Sequence, residues 1–527
     1  MKVKIWLICW LIIVVSALSV LGFGVYKIDP FFHYHEPDLD AYYYILNNQR
    51  SQNDGIIKHF DYDALITGTS LTENFKTTEA DKIFGCNFIK VPYSGGSYKE
   101  INDNIENALE TNDKLKLVIR CLDMGRFYDA YDVMRTDLGR YPTYLYDSNP
   151  FNDVEYLLNR DVIFGRAYQM TLDNDEEGFE PGITEFDDYS SWQSSCIFGV
   201  KTVCPDGITV TETEQIHLTD SEKEIIKKNI DINVISVADE HPDVDFYYYY
   251  SPYSVVTWNE WKTEGTLYKM LEAEAYITEL IVPHKNIHLF SFNNRTDITT
   301  NLNNYKDGTH YAIWINSLIL KWMHDGKYRL TSDNYQDYLK QEYDFYTTFD
   351  YASVNDQEDY EVDYYAAALL NNDLTGAAPM DVLNDDKVDV SINGAEYIKE
   401  NGKNAIVNCH GTLTRDYKTE TLVDYIRDKE FIGIKFDVNL EDGYNYLCFN
   451  GQKIVDHGRL TAYVYDENGT LIDQIEVNYP DLDNEIHQYV MDLSAISGKV
   501  TVVLNGGYID STGSPDSNYQ FSNVYMY

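Results

Sequence analysis

Positive charge is scarce in this sequence. Its 527 residues carry 41 Lys and Arg against 86 Asp and Glu, a formal net charge of −45. A field of that sign repels phosphate backbones, which excludes nucleic-acid binding as the main role. It also repels anionic lipid head groups, so any membrane attachment has to be hydrophobic. Cysteine is scarce too, with seven residues, and no spacing resembles a zinc site. Cys9 falls in an apolar run, leaving Cys86, Cys121, Cys196, Cys204, Cys409 and Cys448. Of these, Cys196 and Cys204 form the candidate bridge, with buried thiols as the alternative. Internal repeats are missing, and so is a second run long enough to span a bilayer.

The run that is long enough opens the chain. From Ile5 to Val25 there is no charged residue. About 21 residues at 1.5 Å rise reach about 31 Å, the thickness of the hydrocarbon core. Lys2 and Lys4 precede it and Glu36, Asp38 and Asp40 follow, a bias that places the N-terminus in the cytoplasm and the remainder outside. A cleaved signal peptide is the alternative, but its apolar region is about 7–15 residues and ends at a small-x-small site. This run is longer and lacks a clear one. The expectation is an uncleaved single-pass anchor over residues 1–28 of a cell-membrane protein.

A chain of this length implies two or three domains, and 44% hydrophobic residues can drive their folding. After the anchor, short apolar strands alternate with helices. Residues 64–68 run into a turn, and 87–91 lead into Pro92-Tyr93-Ser94-Gly95-Gly96. Ser97 with Glu100 forms a capping box, and Ile101, Ile105, Ala108 and Leu109 mark the buried stripe of the helix that follows. Residues 115–119, 244–250 and 287–292 supply further strands, with a long acidic, aromatic insertion at about 127–219. The pattern predicts an α/β domain over 29–330 with a parallel sheet covered by helices on both faces. Residues 331–384 read as an acidic helical connector ending in a linker at 374–379. Beyond them, Ile432, Ile434, Phe436, Val438 and Leu440 alternate at period two, as do Leu460, Ala462 and Val464 before the turn at 466–469. Residues 500–504 and 521–527 continue the pattern, which predicts a β-sandwich over 385–527.

Two motifs carry chemistry. Ser70 lies just after the first strand, in Gly68-Thr69-Ser70-Leu71-Thr72-Glu73-Asn74, at a carboxyl end where open parallel sheets bind ligands. A plain helix N-cap is the alternative there. Asp307-Gly308-Thr309-His310 follows the last strand and precedes a helix at about 312–323. An Asp three residues before a His can hold one imidazole nitrogen and leave the other as a base toward a serine hydroxyl.

With these motifs the sequence resembles the SGNH (GDSL-like) hydrolase superfamily. More narrowly it is similar to the membrane-anchored branch that O-acetylates cell-surface polysaccharides, with alginate-acetylation and DltD-like relatives. The likeness covers roughly residues 29–322. It rests on Gly68-Thr69-Ser70, Ser94-Gly95-Gly96, Tyr250-Ser251-Pro252-Tyr253-Ser254, Asp307-Gly308-Thr309-His310 and the stretch Asp29-Pro30-Phe31-Phe32-His33-Tyr34-His35. The resemblance implies a three-layer α/β/α fold, with Ser70 as nucleophile, His310 as base and then acid, and Asp307 as its orienting carboxylate. It also implies an oxyanion hole from the N–H of Ser70 and that of Gly95 or Gly96. The superfamily's Gly-x-Asn-Asp block is absent and Cys121-Leu122-Asp123-Met124-Gly125-Arg126 stands in its place. Asn74 or Arg126 is then the candidate substitute donor, and Asp123 contacts substrate or caps a turn. Arg126 and Tyr253 are further candidates for substrate contact, and Trp258 with Trp261 reads as core packing, with a sugar site as the alternative.

The implied reaction is double displacement. Ser70 takes an acyl group, expected to be acetyl, and passes it to a sugar hydroxyl; attack by water instead makes the protein a carbohydrate esterase. A tether favours transfer, since it places the enzyme beside an integral-membrane acyl exporter acting as donor. No cofactor or metal is expected. His33 and His35 read as juxtamembrane packing, residues 173–177 as a solvated acidic loop, and Tyr247–Tyr250 as strand core. The C-terminal part resembles carbohydrate-binding jelly-roll domains in architecture. A catalytically silent glycan-binding surface protein is the reading from a different class.

Overall fold

Five consecutive buried residues, Ala-Leu-Ile-Thr-Gly, form strand β1 (Ala64–Gly68). In the computed structural model, which describes residues 2–137, 140–173, 178–357, 366, 370, 380–384, 388–400, 403–414, 421–454, 460–477, 484–510 and 518–527, β1 lies inside a six-stranded sheet. Its other strands are β2 (Phe88–Pro92), β3 (Leu117–Cys121), β4 (Asp245–Tyr250), β5 (Ile287–Ser291) and β6 (Arg329–Leu330). The spatial order is β2-β1-β3-β4-β5-β6. The first five are parallel, and β6 runs antiparallel to β5. The expected parallel sheet is therefore present, with strand ends within two residues of those read from the sequence. Its order reverses direction between β1 and β3, so their carboxyl ends diverge into the crevice where such sheets bind ligands.

Strands β1, β2 and β3 are buried along their whole length, and two cations among them find acceptors in place. Lys90 Nζ donates to the carbonyls of Glu73 (2.5 Å) and Phe75 (2.9 Å). Burial pushes its pKa down to about 7. Arg120 donates to the Asn233 carbonyl at 2.6 Å and lies over the rings of Tyr98 and Tyr248. The helix Tyr98–Thr111 starts at the anticipated capping box, with Ser97 and Glu100 each bonded to the other's backbone. Ile101, Ile105 and Ala108 on its inner face are fully buried.

One N-terminal helix, Lys2–Ile28, is long and apolar enough to be a membrane anchor or a signal sequence. Ile5, Trp6, Ile13 and Val20 are each more than half exposed, so a bilayer is the solvent that suits them. Its last turn is different: Val25 and Ile28 are buried with Phe31, Leu145, Tyr156 and Ile163 from the insertion. The chain leaves the helix at Asp29, whose carboxylate accepts the N–H groups of His33, Tyr34 and His35 and the Tyr156 hydroxyl. The His35 ring nitrogens lie 2.7 Å from the Glu36 carbonyl and 2.9 Å from that of Tyr26.

The chain divides into two units, Met1–Asp359 and Tyr360–Tyr527. Residues 331–356, read from the sequence as the start of a connector, belong to the first. Their helix Tyr335–Thr348 stacks Tyr346 on Trp258 with ring centroids 3.8 Å apart at 12°. The linker expected at 374–379 lies outside the described residues.

The second unit contains two antiparallel sheets. One has the order Ser391–Asn393, Gly433–Asn439, Lys499–Asn505, Leu460–Asp466, Leu471–Val477. The other includes Lys403–His410, Asn518–Met526, Tyr446–Lys453 and Ile486–Asp492. Ile434, Phe436, Val438 and Val502 from the first share one core with Val407, Leu447, Phe449 and Phe521 from the second, a β-sandwich-like arrangement. The anticipated alternation at 432–440 is the inward face. In Leu460–Asp466 the outward face is covered as well, because Tyr463 and Tyr465 pack on Leu422, Tyr425 and Ile426 of the helix Leu422–Asp428.

Candidate active site

The geometry begins with a glycine. Gly68 ends β1 with φ 150°, and a Cβ there would stand 2.6 Å from Thr72 Cγ2 and 2.9 Å from Cys121 Cβ. Glycine alone lets the chain turn this tightly against β3. The short 3₁₀ turn Ser70–Thr72 follows, with Leu71 and Thr72 buried and Ser70 half-buried.

The partner loop is built by its own aspartate. Asp307 Oδ1 accepts the backbone N–H of Thr309 (3.0 Å) and of His310 (2.8 Å). Ser254 fastens the same loop by donating its hydroxyl to the Gly308 carbonyl at 2.8 Å. His310 Nδ1 then lies 3.0 and 2.9 Å from the two Asp307 oxygens. A carboxylate only accepts, so Nδ1 carries the proton and Nε2 presents a lone pair. That nitrogen is 2.7 Å from Ser70 Oγ. Burial pushes the Asp307 carboxyl up, but the hydrogen bond and charge of His310 with the two backbone N–H groups outweigh it, and the net direction is well down. The structure thus brings together Ser70, His310 and Asp307, a hydroxyl–imidazole–carboxylate relay whose His310 side chain is 24% exposed.

The expected oxyanion donors fare unequally. Gly96 donates its N–H to the Tyr93 carbonyl at 2.7 Å, so a tight turn, not a bound anion, uses it. Gly95 has φ 58°, and its carbonyl accepts Arg126 Nη2 at 2.7 Å. Its N–H has no acceptor among the described residues. Asn74 is fully buried; its Oδ1 accepts the Ser191 hydroxyl and the Trp192 N–H, both at 3.1 Å. That oxygen holds a loop of the insertion in place, while the buried Nδ2, the donor expected at an oxyanion, has no hydrogen-bond partner among the described residues.

The expected substrate contacts are also reassigned. Asp123 Oδ2 accepts the Thr69 hydroxyl at 2.7 Å, and Oδ1 accepts the Gly125 N–H and the Tyr253 hydroxyl. Both carboxylate oxygens and the Tyr253 tip are engaged, so this pair supports the serine turn from beneath. Arg126 braces the Gly95 loop. Trp258 is fully buried between Tyr346 and Trp261 and lines no sugar site, because its helix turns that face onto Tyr335–Thr348. Cys196 and Cys204 are both free thiols, not a bridge. Residues 174–177 of the acidic loop lie outside the described residues. Among those described, no cluster of three or more His, Cys, Asp or Glu is arranged to hold a metal.

Sequence reasoning missed three neighbours. Trp192 meets the His310 ring edge-on, centroids 5.7 Å apart at 87°, and Lys306 Nζ sits 3.7 Å above the Trp192 ring. Gln49 joins the two loops, donating to Glu73 Oε1 (2.6 Å) and accepting the Ser94 N–H (2.5 Å). Burial raises the Glu73 pKa against the opposing pull of Gln49 and the His310 charge. None of these contacts leaves a local sequence signal, since each joins segments far apart in the chain.

No family model and no curated protein matches the chain. Similar solved structures include a family two carbohydrate esterase from Cellvibrio japonicus, at 8% identity over 26% of this chain and 32% of that one, with a TM-score of 0.16. A second is CsCBM6-3 from Clostridium stercorarium in complex with cellobiose, at 12% identity over 27% and 90% of the two chains, TM-score 0.16. A third is the carbohydrate-binding module CBM36 in complex with calcium and xylotriose, at 7% identity over 29% and 98%, TM-score 0.18.

Proposed function

We propose that the chain is a serine acyltransferase of the SGNH (GDSL-like) type, held at the outer face of a cell membrane, that O-acetylates a surface polysaccharide. The observation that carries this reading is the 2.7 Å contact between Ser70 Oγ and His310 Nε2, with Nδ1 on Asp307. Ser70 Oγ attacks the donor carbonyl and its proton passes to Nε2. The Asp307 carboxylate stabilises the imidazolium so formed. The Ser70 and Gly95 N–H groups are the donors for the oxyanion, and removing one such donor typically costs about 10²–10³ in turnover. The imidazolium returns its proton to the leaving group. A sugar hydroxyl then attacks the acyl-serine, gives its proton to Nε2, and leaves as the ester while Ser70 regains its hydrogen. An integral-membrane acyl exporter is the donor's source.

Hydrolysis is the second reading, favoured by the Asp307 side chain being 48% exposed, which leaves the relay open to water. Trapping the acyl group on Ser70 and identifying it by mass spectrometry tests the shared first half. Acetyl appearing on an added oligosaccharide then supports transfer, whereas acetate released without it supports an esterase. A full-length protein in which neither an activated acetyl ester nor a fluorophosphonate modifies Ser70 would overturn both.

A further inference from the structure

In a chain of net charge −45, a cleft walled by arginines is out of keeping with its surroundings. Such a cleft of ≈ 440 Å³ is lined by Arg50, Arg135 and Arg140 with Gln49, Tyr141 and Tyr144 among the rest, and no Asp or Glu among the described residues lines it. A second of ≈ 320 Å³ shares Arg135 and adds Arg126, with Asp137 as its one acid among the described residues. Three of the four guanidiniums gather on the Ser94–Gly95 loop: Arg50 Nη2 and Arg135 Nη1 donate to the Ser94 carbonyl at 3.2 and 2.9 Å, and Arg126 to that of Gly95.

Each arginine has an acidic partner, set away from the larger cleft. Arg50 pairs with Glu100 (2.9 Å), Arg135 with Asp137 (2.9 Å) and Arg140 with Glu155 (2.7 Å). These contacts fix the guanidinium planes and leave donors over. Arg140, 73% exposed, engages only Nη1 among the described residues. Two lining residues connect the cleft to the surroundings of the relay. Ser190 lines it two residues before Trp192, whose ring touches His310. Gln49 links it to Glu73, three residues after Ser70.

We propose that this cleft binds a glycan bearing carboxylate or phosphodiester groups and presents its hydroxyl to the acyl-serine. Planar guanidinium forks match the oxygens of such groups. Tyr144, half-buried at the cleft wall, adds a ring of the kind that stacks on sugars. The field of the remaining molecule repels polyanions, so the arginine wall selects where an acidic chain can touch. The role as acceptor rests on the acyl-transfer reading; the anion site does not.

The test is binding of three probes to the full-length protein in detergent by calorimetry: oligogalacturonate for carboxylate, a glycerol-phosphate oligomer for phosphodiester, and a neutral xylo-oligosaccharide. At least one anionic probe is expected to bind tenfold or more tighter than the neutral one, and to weaken about tenfold between 50 and 300 mM salt. Which anion wins identifies the polymer's chemistry. Arg140→Glu is expected to lose tenfold or more in affinity at an unchanged melting temperature, with Arg140→Lys partly retaining it and Arg135→Gln as the independent second variant. Equal binding of the neutral probe, no anionic binding, or folded Arg140→Glu and Arg135→Gln proteins that bind as the parent does would overturn the proposal. Fluorophosphonate labelling of Ser70 is read on the same preparations. Binding without labelling sinks the enzymatic reading alone, and labelling without anionic binding sinks the cleft alone.

Discussion

The Thr69 hydroxyl donates to Asp123 at 2.7 Å, one residue before the serine whose Oγ faces His310. Asp123 stands at the carboxyl end of β3, and its other oxygen holds Tyr253 beyond β4. Three strand ends thereby fix one turn. In the proposed reaction Asp123 acts through its neighbours, as a positioning residue. Asp123→Ala is expected to slow Ser70 labelling and ester turnover about 10–100-fold, since small misplacements of reacting groups are costly. The effect should fall on kcat more than on KM. Unpairing the Tyr253 hydroxyl should also cost about 1–3 kcal/mol of stability, read by denaturant melts. Asp123→Asn, which retains one acceptor, should recover part of both.

The relay itself predicts a graded pattern. Ser70→Ala and His310→Ala should each reduce turnover by on the order of 10⁴–10⁶. The two changes together should cost little more than either alone, because the residues act as a unit. Asp307→Asn should cost about 10⁴, since an amide facing Nδ1 favours the wrong tautomer. Steady-state rates on an acetyl ester measure all three; a Ser70→Ala protein with parental turnover would contradict the assignment.

A buried carboxyl pair sets a pH dependence of stability. Glu274 and Glu342 both lie in the core, where Asn293 Nδ2 reaches the Glu274 oxygens at 3.2 and 3.1 Å. Burial raises Glu274 to about 7, and burial with the Glu274 charge raises Glu342 further. A carboxyl whose pKa is higher folded than unfolded favours the fold while it stays protonated. Stability should therefore fall as pH rises from about 4 toward 7 and level off above the folded pKa values. Glu342→Gln should flatten this slope and raise the melting temperature at pH 8 relative to the parent. Melting curves at pH 5 and pH 8 decide it.

Trp258→Ala should behave as a core truncation. The ring is stacked on Tyr346 and fully buried, so a loss of about 3–5 kcal/mol is expected. In protein that remains folded, sugar affinity should not change, in contrast to Arg140→Glu. A selective loss of glycan binding with intact stability would restore Trp258 to a sugar site.

Much of the scaffold could be read before any tertiary contact was known. The five parallel strands, the Ser97–Glu100 capping box, the apolar N-terminal helix and the inward alternation at 432–440 are all local in origin. Each depends on side-chain periodicity or on groups three or four residues apart, which are written directly in the sequence. The Asp307–His310 contact belongs with them, because a turn of three residues closes it.

The rest required the fold. The wall of Arg50, Arg135 and Arg140, the reassignment of Asp123 and Tyr253 to support, and the burial of Trp258 all depend on segments separated by tens to hundreds of positions. Ser70 and His310 themselves are 240 residues apart. Sequence periodicity states which face of an element is apolar but not which other element covers it. That choice is made by the packing of the whole chain, and with it whether a polar or aromatic side chain binds a ligand or holds the protein together.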